Sequence, residues 1–306
     1  MTVRLSVDDA VWRAHVAGIV DRVEGLVPVV KGNGYGFGRG VLAAISATFA
    51  DVVAVGTVHE LGDVPAGMDA AVLTPTLDAP TETTGAILTV GSDAHVKAVA
   101  GTGARVLVKL RSSMQRYGRD TALVDTARDA GLDVVGVSIH PPLAGTDDDH
   151  AAEVARWLPD VDPAFEVWVS HLSPDAYATL PATHRYRLRL GTALWHGDKS
   201  ALRLDADVID VHAVHAGDTA GYRLGAVPAD GTVVMIGAGS AHGVQPLADG
   251  RSPFHFERRR LSLLEPPHMH SSMAFVAAGE PCPTVGDRVD VQRPLTTTIV
   301  DELVWR

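Results

Sequence analysis

Val27-Pro-Val-Val-Lys31-Gly-Asn-Gly-Tyr35-Gly-Phe-Gly38 is the stretch that decides how this chain is read. A short β-prone run ends in a single lysine, and four glycines, an asparagine and a tyrosine follow. A lysine at the end of a buried strand suits an amine that must react with a carbonyl, because burial disfavours the ammonium form and frees the nucleophile. Glycines let the backbone take positive φ and approach a ligand closely. The same residues also fit a strand followed by a loose turn with Lys31 exposed, so the rest of the chain has to discriminate.

Outward from this point, residues 1–195 repeat one theme: short apolar runs alternate with amphipathic or Ala-rich stretches. Eight candidate strands are Val27–Val30, Asp51–Gly56, Ala70–Pro75, Ala86–Ser92, Ala104–Leu110, Asp133–His140, Glu166–Leu172 and Arg187–Trp195. Helices fit between them, for example Asp9–Val23, Val41–Ala50, Thr121–Ala130 and Asp149–Leu158. Such alternation predicts parallel βα units, and eight of them predict a (β/α)8 barrel. No G-x-G-x-x-G turn follows the first strand, which weighs against a dinucleotide-binding doubly wound sheet. After about residue 200 the texture changes. Ala206–Val214, Thr232–Gly237, Arg260–Leu264, Met273–Val276 and Arg288–Val291 read as strands punctuated by Gly, Pro and Asp, with Pro246–Phe256 as a loop. The expected organisation is an α/β barrel over residues 1–200 followed by a mostly β domain over 201–306.

Composition narrows the function classes. The chain has 306 residues, 46% hydrophobic and 21% charged, as in ordinary globular proteins. A net charge of −11 gives no electrostatic case for nucleic acid. No apolar run is long enough to cross a bilayer, and the first residues lack the apolar core of a secretion signal. The single cysteine, Cys282, excludes an internal disulfide and a cysteine-based zinc site. A cytoplasmic enzyme is the expectation.

The Lys31 segment resembles the lysine motif of the alanine racemase family, fold-type III enzymes whose lysine holds pyridoxal 5′-phosphate (PLP) as an internal aldimine. Later segments fit the same family in the same order. Lys109-Leu-Arg-Ser-Ser-Met-Gln-Arg116-Tyr-Gly118 resembles its K-x-D-T-G-M-x-R-x-G pattern. There Arg116 matches the arginine that faces the cofactor's phenolic oxygen and the substrate carboxylate, a group guanidinium binds through paired hydrogen bonds. Lys109 matches an often carbamylated lysine that orients the arginine. Arg111-Ser112-Ser113 replaces the family's Asp-Thr-Gly. His140 matches a histidine near the cofactor ring. Ser173, Gly191 and Thr192 match phosphate contacts, and Tyr35, in the lysine motif, is a further tyrosine able to reach the phosphate. Arg189 matches the arginine facing the pyridine nitrogen. Because arginine stays protonated, that nitrogen is expected to stay unprotonated, which favours a short-lived carbanion over transamination.

In the β domain, Ala216-Gly-Asp-Thr-Ala-Gly-Tyr222 resembles the family's A-G-E-x-x-x-Y turn, which makes Tyr222 the second catalytic base beside Lys31. His268-Met269-His270 aligns with S-M-D, so the Met269 backbone N–H matches a contact to the substrate carboxylate. The resemblance thus implies an amino-acid racemase that moves the Cα proton between two bases through an external aldimine. It also implies a homodimer, because the family tyrosine is supplied by the partner subunit. Three departures stand out: Ala238 replaces the tyrosine that narrows the substrate mouth, the loop after Tyr222 is shorter, and the C-terminal tail with its phosphate-binding tyrosine has no counterpart before Arg306. They point to a more open site and a broader or larger substrate. Two alternatives stay open. His268 and His270, with His242 as a third ligand, would hold a metal in a PLP-dependent D-amino-acid dehydratase or aldolase. A catalytically weak PLP-binding protein is the other.

Overall fold

A computed structural model describes residues 3–81 and 84–306 and divides the chain into two compact units. One comprises Ala14–Gly197; the other joins the residues up to Arg13 with Asp198–Arg306. The chain opens with strand β1 (Val3–Val7) and helix α1 (Asp9–Val20). Helix α1 buries Trp12, Val16 and Ile19, the spacing of one helical face.

Strands β2 (Leu26–Pro28), β3 (Val52–Val55), β4 (Asp69–Val72), β5 (Ala86–Val90), β6 (Arg105–Lys109), β7 (Asp133–Ser138), β8 (Glu166–Ser170) and β9 (Arg185–Leu190) form one eight-stranded parallel sheet. Its order is β2-β9-β8-β7-β6-β5-β4-β3. A bridge between Val29 and Ala54, with the Val30 N–H donating to the Ala54 carbonyl at 2.9 Å, brings the two end strands together into a nearly closed barrel. Some strands are buried on both faces: Val52–Val55 and Ala86–Val90 are buried throughout. That continuous burial is why their sequences read as uninterrupted apolar runs rather than alternating ones. Helices α2 (Arg39–Ser46), α3 (Asp93–Val99), α4 (Ala122–Asp129), α5 (Asp147–Trp157), α6 (Pro174–Ala178) and α7 (Thr192–Trp195) fall between or after the strands. Local signals start several of them. Ser92 caps α3 by accepting the His95 N–H, and Thr146 with Asp149 makes a reciprocal capping box on α5.

All eight expected barrel strands are present, with shifted ends. The last expected strand, Arg187–Trp195, is the one that changes character: β9 stops at Leu190, and the turn at Gly191 starts helix α7. Leu194 and Trp195 are buried from that helix, and the Trp195 indole N–H donates to the Val29 carbonyl at 2.7 Å.

The second unit is mostly β. Strand β10 (Leu202–Val214) pairs antiparallel with β1, with Gly231–Ile236 and with Arg288–Val291. Strand β1 also pairs in parallel with Glu302–Trp305. The core of this unit gathers Val3, Val208, Val234, Ile236, Phe254, Ala274 and Val289, all fully or almost fully buried. The expected strand Arg260–Leu264 is two short strands, Arg259–Arg260 and Ser262–Leu263. Within the expected loop Pro246–Phe256, residues Phe254–Phe256 pair with Arg288–Val291. Among the described residues, no helix is long and apolar enough to cross a membrane.

Candidate active site

Lys31 follows the C-terminal end of β2, the end of a barrel at which catalytic groups collect. Two carboxylate contacts fix its turn. Glu60 accepts the Gly32 N–H at 3.2 Å and the Gly56 N–H at 2.7 Å, tying the lysine loop to the residue after β3. Tyr35 is held in the left-handed region at φ 56°, unusual for a bulky residue, with its carbonyl 2.7 Å from His196 Nε2. Its ring is buried, which pushes the phenol up to about 12. The hydroxyl therefore stays protonated and can donate.

Lys31 opens into a cavity also lined by Gly56, Thr89, Lys109, Arg116, Ser138, His140 and Arg189. Although Lys31 is accessible at the mouth, protein atoms surround much of its chain. Burial lowers its pKa first, and the charges of Arg116 and Arg189 lower it further, against an opposing pull from Glu60. Opposite lies Lys109 at the end of β6, whose amine is buried and makes no hydrogen bond. Burial, then Arg189 and Arg116, pull it down to about 6, so the neutral amine dominates at pH 7. The Ser138 hydroxyl is likewise buried without a partner.

Arg189 is 6% exposed and, among the described residues, has only backbone carbonyls as hydrogen-bond acceptors: Val169 at 3.3 Å, Ile139 at 2.8 Å and Trp168 at 3.4 Å. Burial draws it down to about 10, which leaves it charged at neutral pH. His140, two residues beyond β7, has Nδ1 2.9 Å from Ser170 Oγ and packs its ring 4.5 Å from that of His171. Burial first, then Arg189 and Lys109, hold it down at about 2, so it is a neutral imidazole. The cavity thus carries Lys31, Arg116 and Arg189 as cationic or amine groups with little anionic compensation.

Ser173, Gly191 and Thr192 belong to the ends after β8 and β9. Gly191 and Thr192 begin α7, where backbone N–H groups lack acceptors within the helix. A side chain at Gly191 would collide with the Tyr35 hydroxyl, so that hydroxyl sits directly against the α7 start. Ser173 is committed locally: its Oγ caps α6 by accepting the Ala176 N–H, and its own N–H donates to Asp147 at 3.1 Å. The hydrogen bonds from Ser173 hold the Asp147 carboxyl below the usual range. An anion approaching Ser173 therefore meets a carboxylate.

In the second unit, Tyr222 is 85% exposed and Met269 is 68% exposed. The Tyr222 ring lies 4.4 Å from that of His268, and His268 Nε2 is 2.5 Å from Glu265 Oε1. Glu265 also accepts the backbone N–H groups of Tyr222 at 3.0 Å and Arg223 at 3.3 Å. Burial raises this carboxyl, but those hydrogen bonds win and hold it low. His270 faces elsewhere, its ring 5.8 Å from that of His242, whose Nε2 is 3.3 Å from Asp301. His268 and His270 thus engage different partners, and no group of three or more His, Cys, Asp or Glu among the described residues is arranged to hold a metal ion. Ala238 is fully buried, with its carbonyl accepting the Ser272 hydroxyl at 2.7 Å.

Sequence reading missed Glu60, Tyr117, His171 and Glu153. Glu153 is 5% exposed on α5 and accepts both the N–H and the hydroxyl of Ser113, at 2.5 and 2.9 Å. Ser113 stands where the resemblance has glycine, so the acceptor answers the departure.

The family model for the alanine racemase N-terminal domain matches residues 7–198. No curated protein matches the chain significantly. Among solved structures, alanine racemase from Bartonella henselae, which has covalently bound pyridoxal phosphate, is 17% identical with a TM-score of 0.75, all of both chains being covered. Alanine racemase of Clostridium difficile 630 is 17% identical with a TM-score of 0.76, covering 100% of this chain and 96% of that one. The enzyme from E. faecalis is 19% identical with a TM-score of 0.69, at 100% and 98% coverage.

Proposed function

The chain belongs to the alanine racemase N-terminal domain family, and from that premise we propose that it is a PLP-dependent amino-acid racemase. The observation that carries this reading is the lysine beyond β2, with its amine pKa lowered, opening into a cavity shared with two arginines. The residues fit the cofactor: Lys31 offers an amine for its aldehyde, Arg189 has no carboxylate partner, and the buried polar atoms Lys109 Nζ and Ser138 Oγ have no hydrogen bonds within the protein. Tyr35, Gly191 and Thr192 would hold the phosphate, whereas Ser173 is engaged with Asp147 and the α6 cap; His140 would lie against the ring, and Arg189 would face the ring nitrogen. The cofactor, once bound, supplies the electron sink that makes an amino-acid Cα proton removable.

The chain's residues do the rest. The Arg116 guanidinium receives the substrate carboxylate, assisted by the Met269 N–H, and fixes Cα. Lys31 Nζ, whose pKa is lowered by burial and by the charges of Arg116 and Arg189, takes the Cα proton on one face. Tyr222 Oη, supplied by the second copy of the chain in a dimer, would serve the other face. Arg189, charged at neutral pH, would face the ring nitrogen and keep it unprotonated, which would favour return of a proton to Cα over transamination. We propose that residues 1–200 bind the cofactor and that 201–306 complete the site, in a cytoplasmic homodimer. The exposure of Tyr222, Leu224 and Met269 supports a partner covering that face.

Incubation of the PLP-loaded protein in deuterated water with a panel of L- and D-amino acids tests the reading. Deuterium should enter Cα of both enantiomers without loss of substrate, and Lys31→Ala should abolish both the exchange and the absorbance band of the lysine-linked cofactor. Ammonia or aldehyde release in place of exchange would overturn it.

A further inference from the structure

Arg116 sits on a loop that leaves β6 and returns beside it: the Arg119 N–H donates to the Lys109 carbonyl and the Arg111 N–H to the Arg119 carbonyl, both at 3.0 Å. Between these closures, Gln115 takes φ 54° immediately before the arginine. A long cationic side chain on such a loop needs something to aim it. Among the described residues, no carboxylate lies within ion-pair distance of Arg116. The resemblance gives the aiming role to Lys109, yet Lys109 Nζ makes no hydrogen bond.

The residue that does touch Arg116 is its neighbour. Arg116 Nη2 donates to the Tyr117 hydroxyl at 3.1 Å, and the guanidinium carbon lies 4.9 Å from the centre of the Tyr117 ring. That hydroxyl in turn donates to the Leu73 carbonyl at 3.0 Å, beyond the end of β4. The ring also meets His95 edge-on at 6.4 Å, and His95 is fixed because its Nδ1 accepts the Gly91 N–H at 3.2 Å. Tyr117 is therefore braced on two neighbouring strand ends and presents one face and one acceptor to the arginine.

We infer that Tyr117 is the positioning residue for Arg116, holding the guanidinium over the cavity by ring face and hydroxyl, and that it thereby sets the affinity for the substrate's carboxylate. This rests on the reading of Arg116 as the carboxylate-binding residue. A neutral phenol suits the task better than an acid would. An acid would neutralise the guanidinium and compete with an incoming carboxylate, whereas a phenol orients the charge and leaves it available.

The test compares wild type with Tyr117→Phe, both loaded with PLP, using L-alanine and L-alaninamide as probes. Binding is read from the change in the cofactor's visible absorbance, and thermal melting checks that the variant is folded. Phenylalanine keeps the ring face and the packing on His95 but loses both hydroxyl hydrogen bonds. Affinity for L-alanine should fall by roughly three- to tenfold, the scale of one lost hydrogen bond, while L-alaninamide binds as before. KM should rise with kcat nearly unchanged. Unaltered L-alanine affinity overturns the inference, and so does an equal loss for both probes, which would mark a purely structural role. If L-alanine affinity falls selectively but wild type exchanges no Cα proton, the positioning role stands and the racemase reading fails. If wild type binds neither probe, both fall.

Discussion

Gly191 and Tyr35 constrain each other. A Cβ on Gly191 would lie 2.6 Å from Tyr35 Cζ and closer still to its hydroxyl, and Tyr35 cannot retreat because its backbone is already in the left-handed region and its carbonyl meets His196. Gly191→Ala should therefore push the phenol off the start of α7. PLP titration should report at least about a tenfold weaker affinity, which corresponds to ~1.4 kcal/mol, with the circular-dichroism spectrum unchanged. The lysine motif that contains Tyr35 was legible because its glycines and lysine are close in sequence. Glu60 and Glu153 were not, because the Gly32 and Ser113 groups they hold lie 28 and 40 residues away, nor was Tyr117, which adjoins Arg116 but is braced by Leu73, 44 residues away. A lone Glu or Tyr carries no spacing signal, and only folding brings it to its acceptor or donor.

The loop from β2 to α2 is an element stabilised from outside itself. Its tie to the neighbouring strand end runs through Glu60, which accepts N–H groups on both sides of the gap. Glu60→Ala should cost about 1–3 kcal/mol, the scale of hydrogen bonds to a charged acceptor, read as a lower midpoint in urea denaturation. The same change removes the one influence that raises the Lys31 pKa, so the lysine should titrate lower still. At this scale the barrel was largely readable, because strands buried on both faces appear as apolar runs bounded by turns. The failures have physical causes. The apolar residues Leu194 and Trp195 extend the run beyond Gly191, although they are buried from a helical turn. Phe254–Phe256 is only three residues long, too short for alternation to register. Strand β1 did carry a period-two signal in Val3, Leu5 and Val7, all fully buried.

For the molecule as a whole, Lys109 sets a pH dependence with a definite sign. In the folded chain its amine gains a proton only as the pH falls to about 6, whereas the ordinary value is 10.5. Between these limits the unfolded state binds the extra proton, so stability rises with pH across that window and the burial penalty is largest at its acid end. Lys109→Met removes the slope. In cofactor-free protein, the variant's advantage in melting temperature should be largest near about pH 6 and shrink toward about pH 9. A gap that stays constant with pH would count against a neutral buried amine.

Strand β1 has one more implication, for the order of events during synthesis. Its partners are β10 and Glu302–Trp305, and the Val3 N–H donates to Asp301 at 2.8 Å. A segment made before the barrel thus waits for segments made after it, while the barrel residues between them can already close. A nascent chain stalled before Asp301 would leave the Glu302–Trp305 edge of β1 unpaired, a template for any other strand it meets on the ribosome.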